Sequence, residues 1–272
     1  MALADLRRVL IIVACVGLLY PAAAQAQPPT DAQIYASFRT WVSSGTVSQQ
    51  ADVMTEYRKV LASQGVPPAE IDRRIRVITE SGRKLEIDRW NQILTSSKPA
   101  FNVKPNAFLV RVTNGLPTGT ALDVGMGQGR NAIYLAQQGW KVTGFDPAEQ
   151  AVAAAVAQAR QLGLQLTTST VGEEEFDFGK DRWDLILLSY VSLRAIVPKI
   201  TESLKPGGRV VIEAFHRDSL KNGPIGGGVV FDTNELLKLF ERFRIIQYED
   251  TEDASDFGSG KNRVVRLVAQ KQ

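Results

Sequence analysis

The residues of this chain most able to do chemistry together lie between positions 123 and 147. The run Asp123-Val-Gly-Met-Gly-Gln-Gly sets a carboxylate just ahead of three alternating glycines, Gly125, Gly127 and Gly129. Asp146 and Pro147 follow at the end of the next apolar run. Glycines after a strand let the backbone turn sharply and let a ligand approach the main chain. A helix opening behind them presents unpaired N–H groups to that ligand. An acidic side chain at the end of the following strand can accept hydrogen bonds from two ribose hydroxyls. The pattern asks for a nucleoside-containing cofactor. Plainer roles exist beside this one: Asp146 and Pro147 could be an N-cap and a first-turn proline, and the glycines could serve turns alone. Asp123 is harder to explain that way, because a lone buried carboxylate is costly. A ligand ammonium nearby would account for it.

Which cofactor is a matter of spacing. The dinucleotide fingerprint is G-x-G-x-x-G, with its third glycine permitting close helix–strand packing around a pyrophosphate. Here that third position is Arg130 and the glycines run G-x-G-x-G, which argues against a nicotinamide-dependent oxidoreductase.

The elements that must hold these residues follow from hydrophobic pattern. Residues 121–124 form a short apolar strand, a helix opens near Arg130 with Ile133, Leu135 and Ala136 available for packing, and Gly139 closes it. Residues 140–145 make a second strand, 148–162 an alanine-rich helix ended by Gly163, and 164–171 a third strand. The run 183–189 is continuously apolar, as a central parallel strand covered on both faces should be. A helix over 193–204, a Lys205-Pro-Gly-Gly turn and a strand over 209–214 come next. A helix from Glu235 through Phe240 precedes two alternating segments, 243–248 and 263–268, which predict a terminal antiparallel hairpin. Five strand–helix alternations predict a doubly wound parallel core. Residues 27–100 read as mostly helical, with Ile34, Phe38 and Trp41 on one helix and Val53, Tyr57, Val60 and Leu61 on the next. A third carries Ile71, Ile75 and Ile78 before Gly82 weakens it and resumes through Trp90 and Leu94.

The segment Asp123-Val-Gly-Met-Gly-Gln-Gly-Arg-Asn-Ala-Ile-Tyr-Leu-Ala resembles the first motif of class I S-adenosylmethionine (SAM)-dependent methyltransferases, in which an acidic residue begins the pattern. Its Gly-Arg-Asn-x-x-Tyr-Leu-Ala continuation resembles the branch that contains the tellurite-resistance methyltransferases, over roughly residues 86–270. The resemblance implies an α/β fold with a doubly wound, mostly parallel seven-stranded sheet, a Rossmann-like methyltransferase fold, here with an N-terminal helical extension. It implies SAM as cofactor, held by Asp123, Gly125, Gly127, Gly129, Arg130, Asp146 and Pro147. Glu174 in the run Gly172-Glu-Glu-Glu is the candidate for the adenine edge, and Ser189 and Tyr190 fall where a fourth strand delivers residues to the ligand. Residues 27–100 become an extension and lid, with Trp90, Phe101 and Asn102 as candidate lid residues, and 101–272 the SAM-binding domain. The leading function is transfer of the SAM methyl group to a small acceptor. The runner-up is a SAM- or nucleoside-binding module without catalysis.

For catalysis the sequence offers little. His216 is the chain's only histidine and the best-placed titratable group for a general base. Tyr190, Arg217 and Arg263 are candidate substrate contacts. The tellurite-resistance enzymes carry a His-Arg pair in the loop between the last two strands. The corresponding run here, Glu249-Asp-Thr-Glu-Asp-Ala-Ser-Asp, is acidic and lacks that pair. Carboxylates near a cleft would repel a dianion, so tellurite should be a poor substrate and a neutral or cationic small molecule a better one.

Composition bounds the rest. The 272 residues are 44% hydrophobic and 22% charged, with net charge +3, so nothing argues for a nucleic-acid surface. Cys15 is the only cysteine, which together with the lone histidine excludes a cysteine- or histidine-based metal centre from the body of the chain. Arg7 and Arg8, an apolar run over 9–19 and an Ala24-Gln-Ala26 site read as a signal peptide over residues 1–26, with the mature chain starting at Gln27. Export to the periplasm or secretion is therefore expected, with anchoring through residues 9–19 as the alternative. Such export would separate the chain from cytoplasmic SAM.

Overall fold

The computed structural model of the chain describes residues 27–44, 52–222, 227–258 and 260–272. The expected signal peptide lies outside the described residues. Three helices come first, α1 (Asp31–Ser43), α2 (Val53–Ser63) and α3 (Pro68–Leu94). They share a small core of Ile34, Tyr57, Leu61, Ile71, Ile75 and Ile78, the stripes read from the sequence. The expected weak point at Gly82 is absent: α3 is one unbroken helix. A Cβ at Gly82 would sit 3.1 Å from the Tyr35 ring, so the glycine lets α1 lie close against α3.

A short helix α4 (Ala107–Thr113) leads into the sheet. The strands and helices then alternate: β1 (Thr120–Val124), α5 (Arg130–Gln137), β2 (Lys141–Phe145), α6 (Glu149–Gln161), β3 (Thr167–Ser169), β4 (Trp183–Ser189), α7 (Val197–Ser203) and β5 (Leu204–His216). After β5 come β6 (Val230–Phe231), α8 (Glu235–Leu239), β7 (Arg244–Ala254) and β8 (Lys261–Gln270). The sheet runs β3-β2-β1-β4-β5-β8-β7, with β8 alone running against the other strands, and β6 adds a two-residue parallel pairing with the end of β5. This is the expected doubly wound sheet, with a short eighth strand that its two residues gave no periodicity to announce.

The central strands are covered on both faces. Leu122, Val124, Ile186, Leu188, Val210 and Ile212 pack with Ile196, Ile200, Leu236 and Phe240 on one side. Ala121, Leu185, Leu187 and Val211 pack with Phe108, Leu109, Ala132, Leu135 and Ala155 on the other. Each large side chain buried this way contributes about 1.5–3 kcal/mol against the entropy of ordering it. The chain moves outward from β1 to β3 on one side and from β4 to β5 on the other. The switch point, where ligands bind in open α/β sheets, is therefore the gap above the C-terminal ends of β1 and β4.

The terminal hairpin is longer than its apolar pattern. Residues 249–254, expected as an acidic loop, are strand. Glu249 stands opposite Arg266 and Glu252 opposite Arg263 in the ladder, and cross-strand charge pairs hold a polar segment extended. The third strand is shorter than expected, three residues in place of 164–171, because it is an edge strand paired only to β2.

Candidate functional site

Gly125, Gly127 and Gly129 all adopt positive φ, of 66°, 53° and 78°. The chain can therefore turn from β1 into α5 while leaving its main chain exposed to the gap. The three differ in what crowds them. A Cβ at Gly129 would meet the Cβ of Ala155 on α6 at 2.7 Å, and one at Gly127 would meet Leu94 of α3 at 3.3 Å. Gly129 thus serves the packing of two helices, whereas Gly127 lies on the cleft side, under the end of α3. Asp146 bridges the loop from the next strand: its carboxylate accepts from Gly127 N–H at 2.9 Å and from Ala148 N–H at 2.8 Å.

The gap opens into a cleft of about 890 Å³. Gly125, Gly127, Asp146, Pro147, Glu174, Ser189 and Tyr190 of the sequence-predicted site line it. Trp90 of the predicted lid lines it too, while Phe101 and Asn102 stand behind. Phe101 stacks on Phe257 at 5.6 Å, and the Asn102 amide donates to Asp256 at 2.8 Å.

Asp123 lies beneath the glycine loop, 1% exposed. Its Oδ2 is buried and accepts no hydrogen bond among the described residues. Burial, opposed chiefly by the Arg130 guanidinium, pushes this carboxyl up to about 7. Burial likewise raises the Asp146 carboxyl, opposed by its two main-chain donors. Arg130 is not part of the cleft lining, though its guanidinium reaches Ser189 Oγ, which is, at 3.5 Å. It donates to the Lys104 carbonyl at 3.0 Å and pairs with Asp256 at 2.7 Å, pinning the glycine loop to the segment before Phe257.

The candidates for catalysis and substrate contact fare differently. His216 is buried with both ring nitrogens occupied: Nδ1 accepts from Asp218 N–H at 3.1 Å and Nε2 contacts Thr233 Oγ1 at 3.0 Å. It does not line the cleft and has no free lone pair for a substrate proton. Arg217 pairs with Asp232, and Arg263 with Asp250 and Asp218, so neither guanidinium faces the cleft. Tyr190 does, but by its ring. Its hydroxyl donates to Glu213 at 2.8 Å and accepts from Asp256 N–H at 3.2 Å, and burial beside Glu213 holds it well above the usual tyrosine range. The backbone carries this placement at φ 58°, an uncommon conformation for a residue with a bulky side chain.

The acidic run after β7's midpoint does not repel anions as expected. Glu249 and Asp253 pair with Arg266, Asp250 with Arg263, and Asp256 with Arg130. Four of the run's five carboxylates have an arginine and the fifth, Glu252, is exposed, which weakens the argument against an anionic acceptor from this run.

Sequence reasoning missed much of the cleft's outer wall. Tyr35 and Arg39 of α1 and Arg83, Glu86, Ile87, Arg89, Trp90 and Leu94 of α3 line it. The positions 83, 87, 90 and 94 are one helical face, a signal present in the chain. A mixed face of arginine, isoleucine, tryptophan and leucine does not score as an apolar stripe. The wall is fastened at both ends. Arg83 pairs with Glu175 at 2.7 Å near Gly172, Asn91 accepts from the α6 main chain at Gln150 at 3.0 Å, and Trp90 meets Phe257 edge-on. Phe257 and Phe215 were missed as well. Phe257, Tyr190 and Phe215 form a run of rings with centroids 5.3 and 4.7 Å apart.

Comparison with known proteins agrees with this geometry. Residues 121–208 match the family described as a methyltransferase domain. The chain is 28% identical over 173 residues to the ubiquinone biosynthesis O-methyltransferase of Idiomarina loihiensis, covering 61% of this chain and 68% of that protein. It is 25% identical over 136 residues to the probable SAM-dependent methyltransferase TehB of Haemophilus influenzae, covering 47% of each. The match thus spans about half the length of that relative. The crystal structure of Haemophilus influenzae TehB superposes with a TM-score of 0.55 at 20% identity, over 61% of this chain and 62% of that one, which shows the shared fold. Motif, sheet and relatives agree on one likeness, to the class I SAM-dependent methyltransferases, TehB among them.

Proposed function

We propose that this chain transfers the methyl group of SAM to a small-molecule acceptor bound in the same cleft. The observation that carries the reading is the wall. The chain's own α1 and α3 close the C-terminal edge of the sheet into a cleft of about 890 Å³, at the upper end of the 300–1,000 Å³ typical of small-ligand pockets. That is room for a cofactor and a small partner side by side, behind a barrier to a macromolecular surface.

The residues present fit SAM. Asp123 Oδ2, buried and unpartnered, suits an ammonium above it, directly or through water. Gly125 and Gly127 leave main chain free to approach, Asp146 stands where ribose hydroxyls would reach, and Glu173 and Glu174 line the far end for the adenine edge. When bound, SAM supplies a methyl carbon on a cationic sulfur, whose displacement leaves a neutral thioether. The acceptor's lone pair forms the new bond as the carbon–sulfur bond breaks.

The chain's part is alignment and exclusion of water. Trp90, Tyr190, Phe215 and Phe257 enclose the end beyond the switch point, where the acceptor belongs. Neither the His216 ring nor the Tyr190 hydroxyl is free to take a proton there, so a proton lost by the acceptor goes to solvent, before transfer from a hydroxyl or acid and after it from an amine. Support for a small acceptor also comes from the relatives' printed functions, one of which is O-methylation in ubiquinone biosynthesis. The test is calorimetric binding of S-adenosylhomocysteine (SAH) and NAD, followed by transfer from methyl-labelled SAM to thiols, amines, phenols, carboxylic acids and tellurite. SAH binding with a labelled small product is expected. No SAH binding, or label found only on macromolecules, sinks the reading.

For residues 1–26 the same proposal includes export. Mass spectrometry of the native N-terminus in fractionated cells should find Gln27 first, and an intact Met1 would remove that part.

A further inference from the structure

Arg39 of α1 and Arg89 of α3 both line the cleft and share a single carboxylate, Glu86. The Arg39 Nε lies 3.1 Å from Glu86 Oε2, an ion-pair contact without hydrogen-bond geometry, since that buried oxygen accepts no hydrogen bond among the described residues. Arg39 donates no hydrogen bond to any described residue, although its side chain is only 23% exposed. Arg89 makes one, to Glu86 Oε1 at 3.3 Å. Two guanidiniums carry ten N–H donors between them, and here they use one. The two side chains are half-buried, Arg89 at 36% exposure, so their free donors face the cleft and its solvent. The charge does not balance either: two cations stand against one anion. On α3, Lys84 pairs with Asp88 and Arg83 with Glu175; the other carboxylates lining the cleft are Asp146, Glu173 and Glu174, none of which pairs with Arg39 or Arg89. Burial and the nearby Arg39 both hold the Arg89 guanidinium below its usual range, the direction expected of a cation short of anions.

The pair sits at a definite place. The Arg89 guanidinium lies 4.9 Å from the Trp90 ring centroid, and Trp90 meets Phe257, which meets Tyr190. This is the aromatic part of the cleft. We propose that Arg39 and Arg89 form a seat for a carboxylate, and that the acceptor is a small planar acid whose ring lies against Trp90 and Phe257. The inference rests on the methyl-transfer reading. It reverses the expectation of a neutral or cationic acceptor, which depended on five carboxylates of which four are paired with arginine. Arginine suits the role because its planar fork matches a carboxylate in two parallel hydrogen bonds.

A carboxylate could also come from the cofactor's own methionine group, so the experiment separates the two sources. Benzoate and benzamide, which differ in charge and little in shape, are titrated calorimetrically into SAH-saturated full-length protein, and SAH affinity is measured separately. Wild type should bind benzoate at least about 10-fold tighter than benzamide, as expected of charge-assisted hydrogen bonds. In Arg39→Gln and in Arg89→Gln that preference should collapse to within about 2-fold while SAH affinity changes by less than about 3-fold. Arg39→Lys, which keeps the charge and loses the fork, should restore it in part. Equal binding of benzoate and benzamide by the wild type overturns the seat. A fall in SAH affinity as large as the fall for benzoate assigns the guanidiniums to the cofactor and overturns the acidic acceptor. Absence of SAH binding to the wild type overturns the methyl-transfer reading itself, which the benzoate comparison alone would not.

Discussion

Asp123 near the end of β1 and Glu213 near the end of β5 are both buried carboxylates, on central strands with β4 between them, 1% and 3% exposed. Their surroundings are opposite. Glu213 accepts from Arg266 at 2.5 Å, from the Asn106 amide at 2.7 Å and from the Tyr190 hydroxyl at 2.8 Å. Asp123 has an oxygen with no partner and a carboxyl pushed up to about 7. A buried charge that the protein satisfies itself belongs to the architecture. One that it leaves unsatisfied is held ready for something from outside, because desolvation without a partner is a cost that selection for stability alone would remove. The same contrast separates Arg266, with its three carboxylates, from Arg39.

The contrast can be broken by mutation, beginning with the architectural member. Glu213→Ala leaves Arg266, Asn106 and Tyr190 without their shared acceptor and should cost about 3–5 kcal/mol, the usual effect of stripping one partner from a buried ion pair. Denaturant unfolding measures it, and a loss under about 1 kcal/mol would mean that the network relaxes easily. Asp123→Asn should act in the other direction. The native carboxyl holds its proton up to about 7 whereas the unfolded one releases it near 3.8. Between those values the native state binds more protons, so wild-type stability falls as pH rises through the window, by up to about 1.4 kcal/mol per pH unit. The asparagine variant should lack that slope, unfold at higher temperature than wild type at pH 8, and bind SAH more weakly. Matching pH profiles for the two proteins would show that Asp123 is not under strain.

Asp146→Ala sharpens the comparison at the ribose position. It should weaken SAH binding roughly 10- to 100-fold, about 1.5–3 kcal/mol for hydrogen bonds to a charged group. Some of that loss will reflect Gly127, whose N–H it holds. Unchanged affinity in a folded variant would remove the ribose role. The smallest effect is expected at His216. A general base is worth about 100- to 10,000-fold, yet His216→Gln should leave kcat within about 2-fold across pH 6–9, because its ring is satisfied away from the cleft. A lost acidic limb in the pH profile would return it to the mechanism.

The readable portion of the site was its floor. Gly125, Gly127, Asp146, Pro147, Ser189 and Tyr190 sit at strand ends, and a strand end is visible wherever an apolar run stops at glycine or a polar residue. Gly129 and Arg130 were picked by the same rule and proved to pack and brace the loop, since a motif gives spacing but not the direction a side chain takes. His216, Arg217 and Arg263 were chosen by chemical type and position along the chain. Their partners, Thr233, Asp232 and Asp250, come from elements that no local pattern links to them.

The sequence by itself determined the order of elements, the parallel core and the glycine loop, because each depends on interactions between residues near one another in the chain or on a period that local apolar burial imposes. It also carried the cofactor class, since one contiguous segment makes that half of the cleft. Only the tertiary structure decided that α1 and α3 wall the cleft and that most carboxylates of the acidic run on β7 meet an arginine. The same holds for Asp123, left unpartnered while Glu213 was not. These depend on which distant charges meet, and long-range pairing is set by the packing of the whole sheet and its helices, with no signature in the spacing of either partner alone.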